Sequence, residues 1–409
     1  MSKVQDLTLT NCAVLDVRTG ELRSNQSVRI IGDRIREVSS AKPAAHLDSI
    51  DVGGKTVMPG LIDAHAHVMA SDLKLSSLAK ESATLVTARA VPIMRDMLMR
   101  GFTSVRDAGG ADWGLAEAVR SGILLGPRLF IAGKGIAQTG GQGDFRDHRE
   151  SDLPDYCSHA LGSLSRVADG VDQVRHAARE ELRRGANQIK IFAGGGVAGG
   201  IPLQYSHFTV DEIRAACEEA AAVGTYVMAH AYAPESILRA VDAGARTIEH
   251  GNLIDQDTAE KIAGRAYLVP TLSSLEGRFM HADELGLPAR TKALIRETVD
   301  QGLRGIKICR DAGVTVGFGT DLEGIIHPYQ MLEFELRAQV LSPLELVQSA
   351  TIVNAEILQM EGELGVVAEG ALADLLIIDG NPCEQISTLV DPERLMGVMK
   401  GGEMIRLGF

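Results

Sequence analysis

The sequence predicts an α/β protein: a (β/α)8 TIM-like barrel carrying a small β-sandwich domain built from both chain termini. Three observations carry this reading. The middle of the chain, 59–357, alternates strand-length apolar runs with helix-length amphipathic segments. The two ends, 1–58 and 358–409, read as short strands and hairpins. Metal-ligand residue types recur where the apolar runs of the middle close. Repeated strand–helix alternation implies a parallel sheet, and eight units over this length imply closure into a barrel. An open doubly wound sheet fits the strand count equally well. No Gly-x-Gly-x-x-Gly opens a helix after the first strand of the middle, so a dinucleotide fold has no direct support.

The elements follow in order. Near the N-terminus, Leu7-Thr8-Leu9-Thr10, Ala13-Val14-Leu15-Asp16 and Ser27-Val28-Arg29-Ile30-Ile31 alternate apolar and polar residues, and Gly32-Asp33-Arg34 marks a turn. In the middle, eight candidate strands fall at 61–67, 102–107, 128–132, 188–192, 225–230, 246–250, 267–271 and 314–319. Helical patterns such as Val174–Leu182 lie between them. Thr209-Val210-Asp211-Glu212 is a capping box, and Ser342-Pro343-Leu344-Glu345 adds proline at the first helical position. The glycine-rich stretches 133–143 and 194–200 follow strands 3 and 4 and read as active-site loops. Toward the C-terminus, Ala373–Asn381 and Gly397–Gly402 return to the strand pattern of the first residues.

Composition narrows the function classes. With 45% hydrophobic and 23% charged residues, 409 residues can bury a large core, and disorder is excluded. A formal charge of -13 argues against a nucleic-acid or anionic-membrane partner. Five scattered cysteines with no Cys-x-x-Cys pair point to a reducing compartment without a thiolate cluster. The first residues lack an apolar signal core, and no run approaches membrane-spanning length. A cytoplasmic protein acting on a small molecule is expected, as a homo-oligomer.

His65-Ala66-His67 closes the first strand of the middle. On a strand, residues two apart share a face, so the two imidazoles converge on one point and make a divalent-metal grip. Alone, the pair could equally be two histidines satisfied by backbone. Lys190 in Gln-Ile-Lys-Ile-Phe, His230 in Val-Met-Ala-His-Ala-Tyr, His250 in Thr-Ile-Glu-His-Gly-Asn and Asp321 in Gly-Phe-Gly-Thr-Asp remove that reading by recurring at strand ends. Lys190 alternates toward the interior, where desolvation disfavours an ammonium that in any case has no lone pair for a metal. A salt bridge to Asp321 or Glu249 is the plainer role for it.

Pro59-Gly60-Leu61-Ile62-Asp63-Ala64-His65-Ala66-His67 with Lys190, His230, His250 and Asp321 resembles the amidohydrolase superfamily, nearest to its imidazolonepropionase-like and prolidase-like members. The resemblance extends to Ala371–Leu376 near the C-terminus. It implies two divalent metal ions. Zinc is the default for such a set, and manganese, cobalt or iron also fit. It further implies that Lys190 takes up carbon dioxide to become a carbamate bridging both ions. His65, His67 and Asp321 would hold the more buried ion, and His230 and His250 the outer one. Lys190, His250 and Asp321 carry the catalytic roles, with Asp321 accepting a proton from the attacking water and returning it to the departing amine.

Substrate contacts are expected from Tyr232, which shares a strand face with His230, and from Gln142, Arg146 and His148 in the 139–148 loop. His327, six residues past Asp321, is placed on the same rim. Many relatives carry histidine where this chain has Gln142. His46, His159, His176, His207 and His281 read as structural or surface residues. The expected activity is hydrolysis of an amide bond in a dipeptide, N-acyl amino acid or related carboxamide. A cyclic amide, carbamate, urea, lactone or phosphoester would use the same centre. A non-enzymatic assembly protein on an inactive barrel is the alternative of another class, although such a protein would be expected to have lost ligands.

Overall fold

Alternating residues near the N-terminus form long antiparallel strands, Asp6–Asp16 against Glu21–Ile31 and then Arg34–Ser39. The computed structural model describes residues 6–40, 48–146, 163–197 and 200–408. In it, Thr56–Pro59 joins this meander to strands from the other end of the chain. Pro59 lies opposite Leu375 and Val57 opposite Ile377, and Leu395–Lys400 and Glu403–Leu407 extend the sheet to its edge. One eight-stranded sheet therefore draws on both termini. Leu9, Val14, Val28, Val57 and Ile377 are buried in a shared core on its inner face, which is what period-2 patterning requires.

The middle of the chain forms parallel strands close to those expected. Leu61–Ala66, Phe102–Asp107 and Arg128–Ile131 pair in that order. Ile189–Phe192, Val227–Ala231, Thr247–His250 and Tyr267–Val269 pair in theirs. Gly135–Ala137, which continues the third run, contacts both Ser165–Val167 and Ile189–Phe192. Gly135 is required there: a Cβ would stand 2.6 Å from the Phe192 ring and 3.1 Å from Lys190 Cγ. The helices between the strands include Ala83–Met99, Gly170–Arg183, Val210–Ala222, Pro234–Ala243 and Ala289–Asp311. Both expected capping boxes, at Thr209 and at Ser342, are formed. Among the described residues, no helix is long and apolar enough to cross a membrane.

Two expectations need correction. The eighth candidate strand, 314–319, forms only one bridge, Val316 to Leu268, yet its backbone bonds to both neighbours. Leu268 N–H donates to Thr315 O at 3.0 Å and Ala64 N–H donates to Phe318 O at 2.9 Å. Its irregularity follows from close approach, since a Cβ at Gly319 would lie 2.7 Å from both His65 Cβ and Val269 Cγ1. The glycine-rich stretch 194–200 also differs: Gly194–Gly196 pairs antiparallel with Ile201–Ser206 as a hairpin.

Asn354, fully buried, fastens the irregular strand to the first one. Its amide Nδ2 donates to Ile62 O and Phe318 O at 2.6 and 2.8 Å, and its Oδ1 accepts from Phe318 N at 3.0 Å. Asn354→Ala is expected to cost about 3 kcal/mol, because buried backbone groups lose their partner. Chemical denaturation should show the lowered midpoint, and an unchanged midpoint would contradict this role.

Candidate functional site

Parallel strands place their C-terminal ends on one side, so ligand-type residues at those ends meet. His65 lies in Leu61–Ala66, with His67 just beyond it. Lys190 is in Ile189–Phe192, His230 is in Val227–Ala231, and His250 ends Thr247–His250. Asp321 follows the irregular strand. Its Oδ1 stands 3.3 Å from His65 Nε2 and 3.2 Å from His67 Nε2. Lys190 Nζ is 3.5 Å from His65 Nε2, and His250 Nε2 is 2.8 Å from His230 Nδ1. His65, His250 and Asp321 bring ligand atoms within 4.8 Å of one another.

The outward nitrogen of each imidazole is engaged. His65 Nδ1 bonds Glu249 at 2.6 Å, His67 Nδ1 donates to Gly109 O at 2.9 Å, His230 Nε2 donates to Gly195 O at 2.9 Å, and His250 Nδ1 meets Thr271 Oγ1 at 2.7 Å. This outer shell fixes ring orientation and aims four nitrogens inward, as metal-binding histidines require. The backbone is strained to match. His250 and Asp321 have φ of 74° and 54°, in the left-handed region, at a cost of roughly 1–3 kcal/mol each.

Electrostatics suit cations. Burial and the nearby Lys190 push His230 down to about 3, and burial with the neighbouring His230 holds His250 well below its ordinary value, so both rings are neutral with lone pairs available. Burial lowers the Lys190 amine to about 8. Burial opposes charge on His67, yet its bond to Asp321 prevails and raises it to about 9. A divalent ion would displace that proton. Burial likewise works against the Asp321 carboxylate, but His65 and His67 hold it well below the usual range. The donor set therefore fits divalent metal.

The sequence reading missed the support beneath this cluster. Arg106, fully buried, donates to Ala64 O, to Thr247 Oγ1 at 3.2 Å and to both Glu249 oxygens at 2.9 and 3.1 Å. Glu249, offered above as a partner for Lys190, is instead committed to Arg106 and His65. A charged residue interrupting Thr-Ser-Val-Arg-Asp was the available signal.

A small cavity opens over the cluster. Tyr232 and Gln142 line it as expected. The Tyr232 ring stacks on His250 at 4.9 Å, and Gln142 Oε1 is buried without a partner. Arg146 is not among the lining residues: it forks onto Asp144 at 2.7 Å with both Nε and Nη2. His327 is also set apart, donating from Nε2 to Ala70 O at 2.9 Å. His148, His46 and His159 lie outside the described residues. His207, read as structural or surface, is buried and structural: its Nε2 accepts from Gln142 N at 3.0 Å, pinning the loop that carries Gln142. His176 is exposed, and His281 bonds Glu284 and Tyr329. His67 and His230 are each 5% exposed, so burial does not rank the two histidine pairs. Arg278 and Glu323 line the cavity and were not anticipated.

Imidazoles, a carboxylate and a lysine converging at parallel strand ends define a hydrolase class. The chain belongs to the Amidohydrolase family, whose model matches residues 56–405, and it is a hydrolase of amide bonds. It is 46% identical to a prolidase crystallised with N-methylphosphonate-L-proline, over 98% of this chain and all of that one, with a TM-score of 0.95. A Xaa-Pro dipeptidase with methionine bound in its active site is 29% identical over 98% of this chain and all of that one, with a TM-score of 0.87. The ochratoxinase of Aspergillus niger is 29% identical over 86% of this chain and 75% of its own length.

Glu249→Gln is expected to weaken metal affinity by about 10- to 100-fold, because it removes the charge that orients His65. Competition with a chromophoric chelator measures this, and an affinity equal to the parent protein would exclude the role.

Proposed function

We propose that this protein is a binuclear metal-dependent amidohydrolase that releases an amino acid with a free carboxylate from a dipeptide, an N-acyl amino acid or a related carboxamide. The observation that carries the reading is the set of four imidazoles whose outward nitrogens are all engaged, with the inward nitrogens of His65 and His67 meeting Asp321, that of His65 also meeting Lys190, and those of His230 and His250 meeting each other. Support for the substrate class comes from the 46% identical prolidase and its ligand, in which a tetrahedral phosphonate replaces the planar carbonyl on proline nitrogen. The proposed architecture is a (β/α)8 barrel over 59–357 with a small β-sandwich domain from 1–58 and 358–409. The bonds that tie the 314–319 run to both Leu268 and Ala64 support closure.

His65, His67 and Asp321 would hold one ion, His230 and His250 the other, with Lys190 between them. Zinc is the default, and manganese, cobalt or iron fit the same donors. Bound there, the ions would acidify water and polarise a carbonyl. Lys190 suits the bridging place once its amine nitrogen has bonded carbon dioxide and lost a proton, which leaves an anionic carbamate. Burial favours the neutral amine that this addition needs. The Asp321 carboxylate, fixed by its strained backbone, accepts the proton of the attacking water and delivers it to the leaving nitrogen. Tyr232 offers a phenol O–H to the substrate, and Gln142 a neutral amide.

Two measurements test this. Lys190→Ala should lose nearly all activity and regain part of it with small carboxylates in solution. Full activity without additive would exclude the bridging carbamate. In the parent enzyme, amidating the free carboxylate of an N-acyl amino acid should lower kcat/KM at least about a hundredfold, on the order of 3 kcal/mol. Equal turnover of acid and amide would replace this substrate class with a cyclic amide or carbamate.

A further inference from the structure

Outside the ligand cluster, the described wall of the cavity carries formal charge only at Arg278 and Glu323; Leu75, Phe145, Leu164 and Leu275 are among its apolar residues. Arg278 comes from the helix Leu272–Met280, and Glu323 follows Asp321 by two residues. The Arg278 side chain is 13% exposed and that of Glu323 is 6% exposed, and they form an ion pair through Arg278 Nη2. A guanidinium has three nitrogens bearing five N–H donors in a planar fork. Glu323 occupies Nη2, and among the described residues Nε and Nη1 make no hydrogen bond. Tyr232 lines the same cavity as Arg278, so both donors face it. Arg146, by contrast, is spent on Asp144.

We propose that Arg278 is the specificity-determining cation of this site: its free N–H groups bind the carboxylate of the leaving amino acid, and Glu323 is the positioning residue that holds the guanidinium against the cavity wall. The inference rests on the amidohydrolase reading above. Within it, carboxylate recognition moves from the 139–148 loop to the helix after the seventh strand. A largely buried guanidinium suits this work, since charge-assisted forked bonds are roughly twice as strong as neutral ones. Glu323 lowers the cost of keeping that cation in a largely apolar wall when no substrate is present. Tyr232 then adds a neutral donor beside the cation.

The test compares the full-length metal-loaded enzyme on N-acetyl-L-proline and N-acetyl-L-prolinamide, reading the acid-to-amide ratio of kcat/KM in each variant. Arg278→Met is expected to shrink that ratio at least about tenfold, mainly through KM, as expected for loss of one charge-assisted bond. Arg146→Gln is expected to leave the ratio unchanged. Metal content and Tm are measured alongside. A parent ratio near one overturns the substrate reading itself. A large parent ratio that Arg278→Met leaves intact overturns only the role of Arg278, as does a collapse of the ratio in Arg146→Gln. Should Arg278→Met fail to fold, Arg278→Lys decides, because it keeps charge but removes the fork. A ratio reduced several-fold supports the proposal, and an unchanged ratio overturns it.

Discussion

The buried pairing of Arg106 with Glu249 is the interaction on which the site depends. It joins three strands at once. Arg106 stands on the second, takes a carbonyl of the first, and reaches the sixth at Thr247 and Glu249. Both charged groups are fully buried, so desolvation works against them. The carboxylate nevertheless stays ionised: burial would raise it, but the Arg106 guanidinium holds it down to about 2. Full pairing makes the arrangement tenable, and loss of either partner would strand a charge at about 3–5 kcal/mol. Through His65 Nδ1, the same carboxylate sets the angle of the imidazole beside Asp321.

A second constraint is backbone strain at the rim. His250 and Asp321, both ligand-type residues, adopt conformations that L-residues disfavour. Neighbouring bonds hold them there: Gly251 N–H donates to Ala231 O at 3.0 Å, and Asp321 N–H donates to His65 O at 2.8 Å. Side chains that would otherwise follow the strand direction are turned across the strand ends toward the centre. Stability is given up at the positions where the chemistry needs it, while the close glycine contacts at Gly135 and Gly319 let the supporting strands approach.

Much of this was legible in the sequence, and the boundary has a physical explanation. His65, His67, Lys190, His230, His250 and Asp321 were readable because each ends or interrupts a short apolar run, and strand periodicity fixes which way it points. Capping boxes at Thr209 and Ser342 were readable because a cap is local. Arg106 and Glu249 are 143 residues apart, and nothing near either names the other. Arg146 was misleading because a guanidinium in a loop looks available until Asp144, two residues away, is seen to claim it. Arg278 was hidden because a charged residue in an amphipathic helix ordinarily faces water. The hairpin after the fourth strand was hidden in glycines that also suit a loose loop.

The Thr271 hydroxyl, a minor partner of His250 above, has a wider consequence. His230 Nε2 faces a carbonyl and must donate, so its neutral ring leaves Nδ1 bare toward His250 Nε2. Without a cation between the two rings, His250 must then keep its proton on Nε2 and receive the Thr271 O–H at Nδ1. With a cation there, both inward nitrogens must be bare, and His250 carries its proton on Nδ1 and donates to Thr271. A hydroxyl serves either arrangement by rotating, whereas a carbonyl or an amide N–H would serve only one. Thr271 is thus a reversible polarity element, and were an ion to enter or leave, the ring tautomer would change with it and the charge on His250 would not.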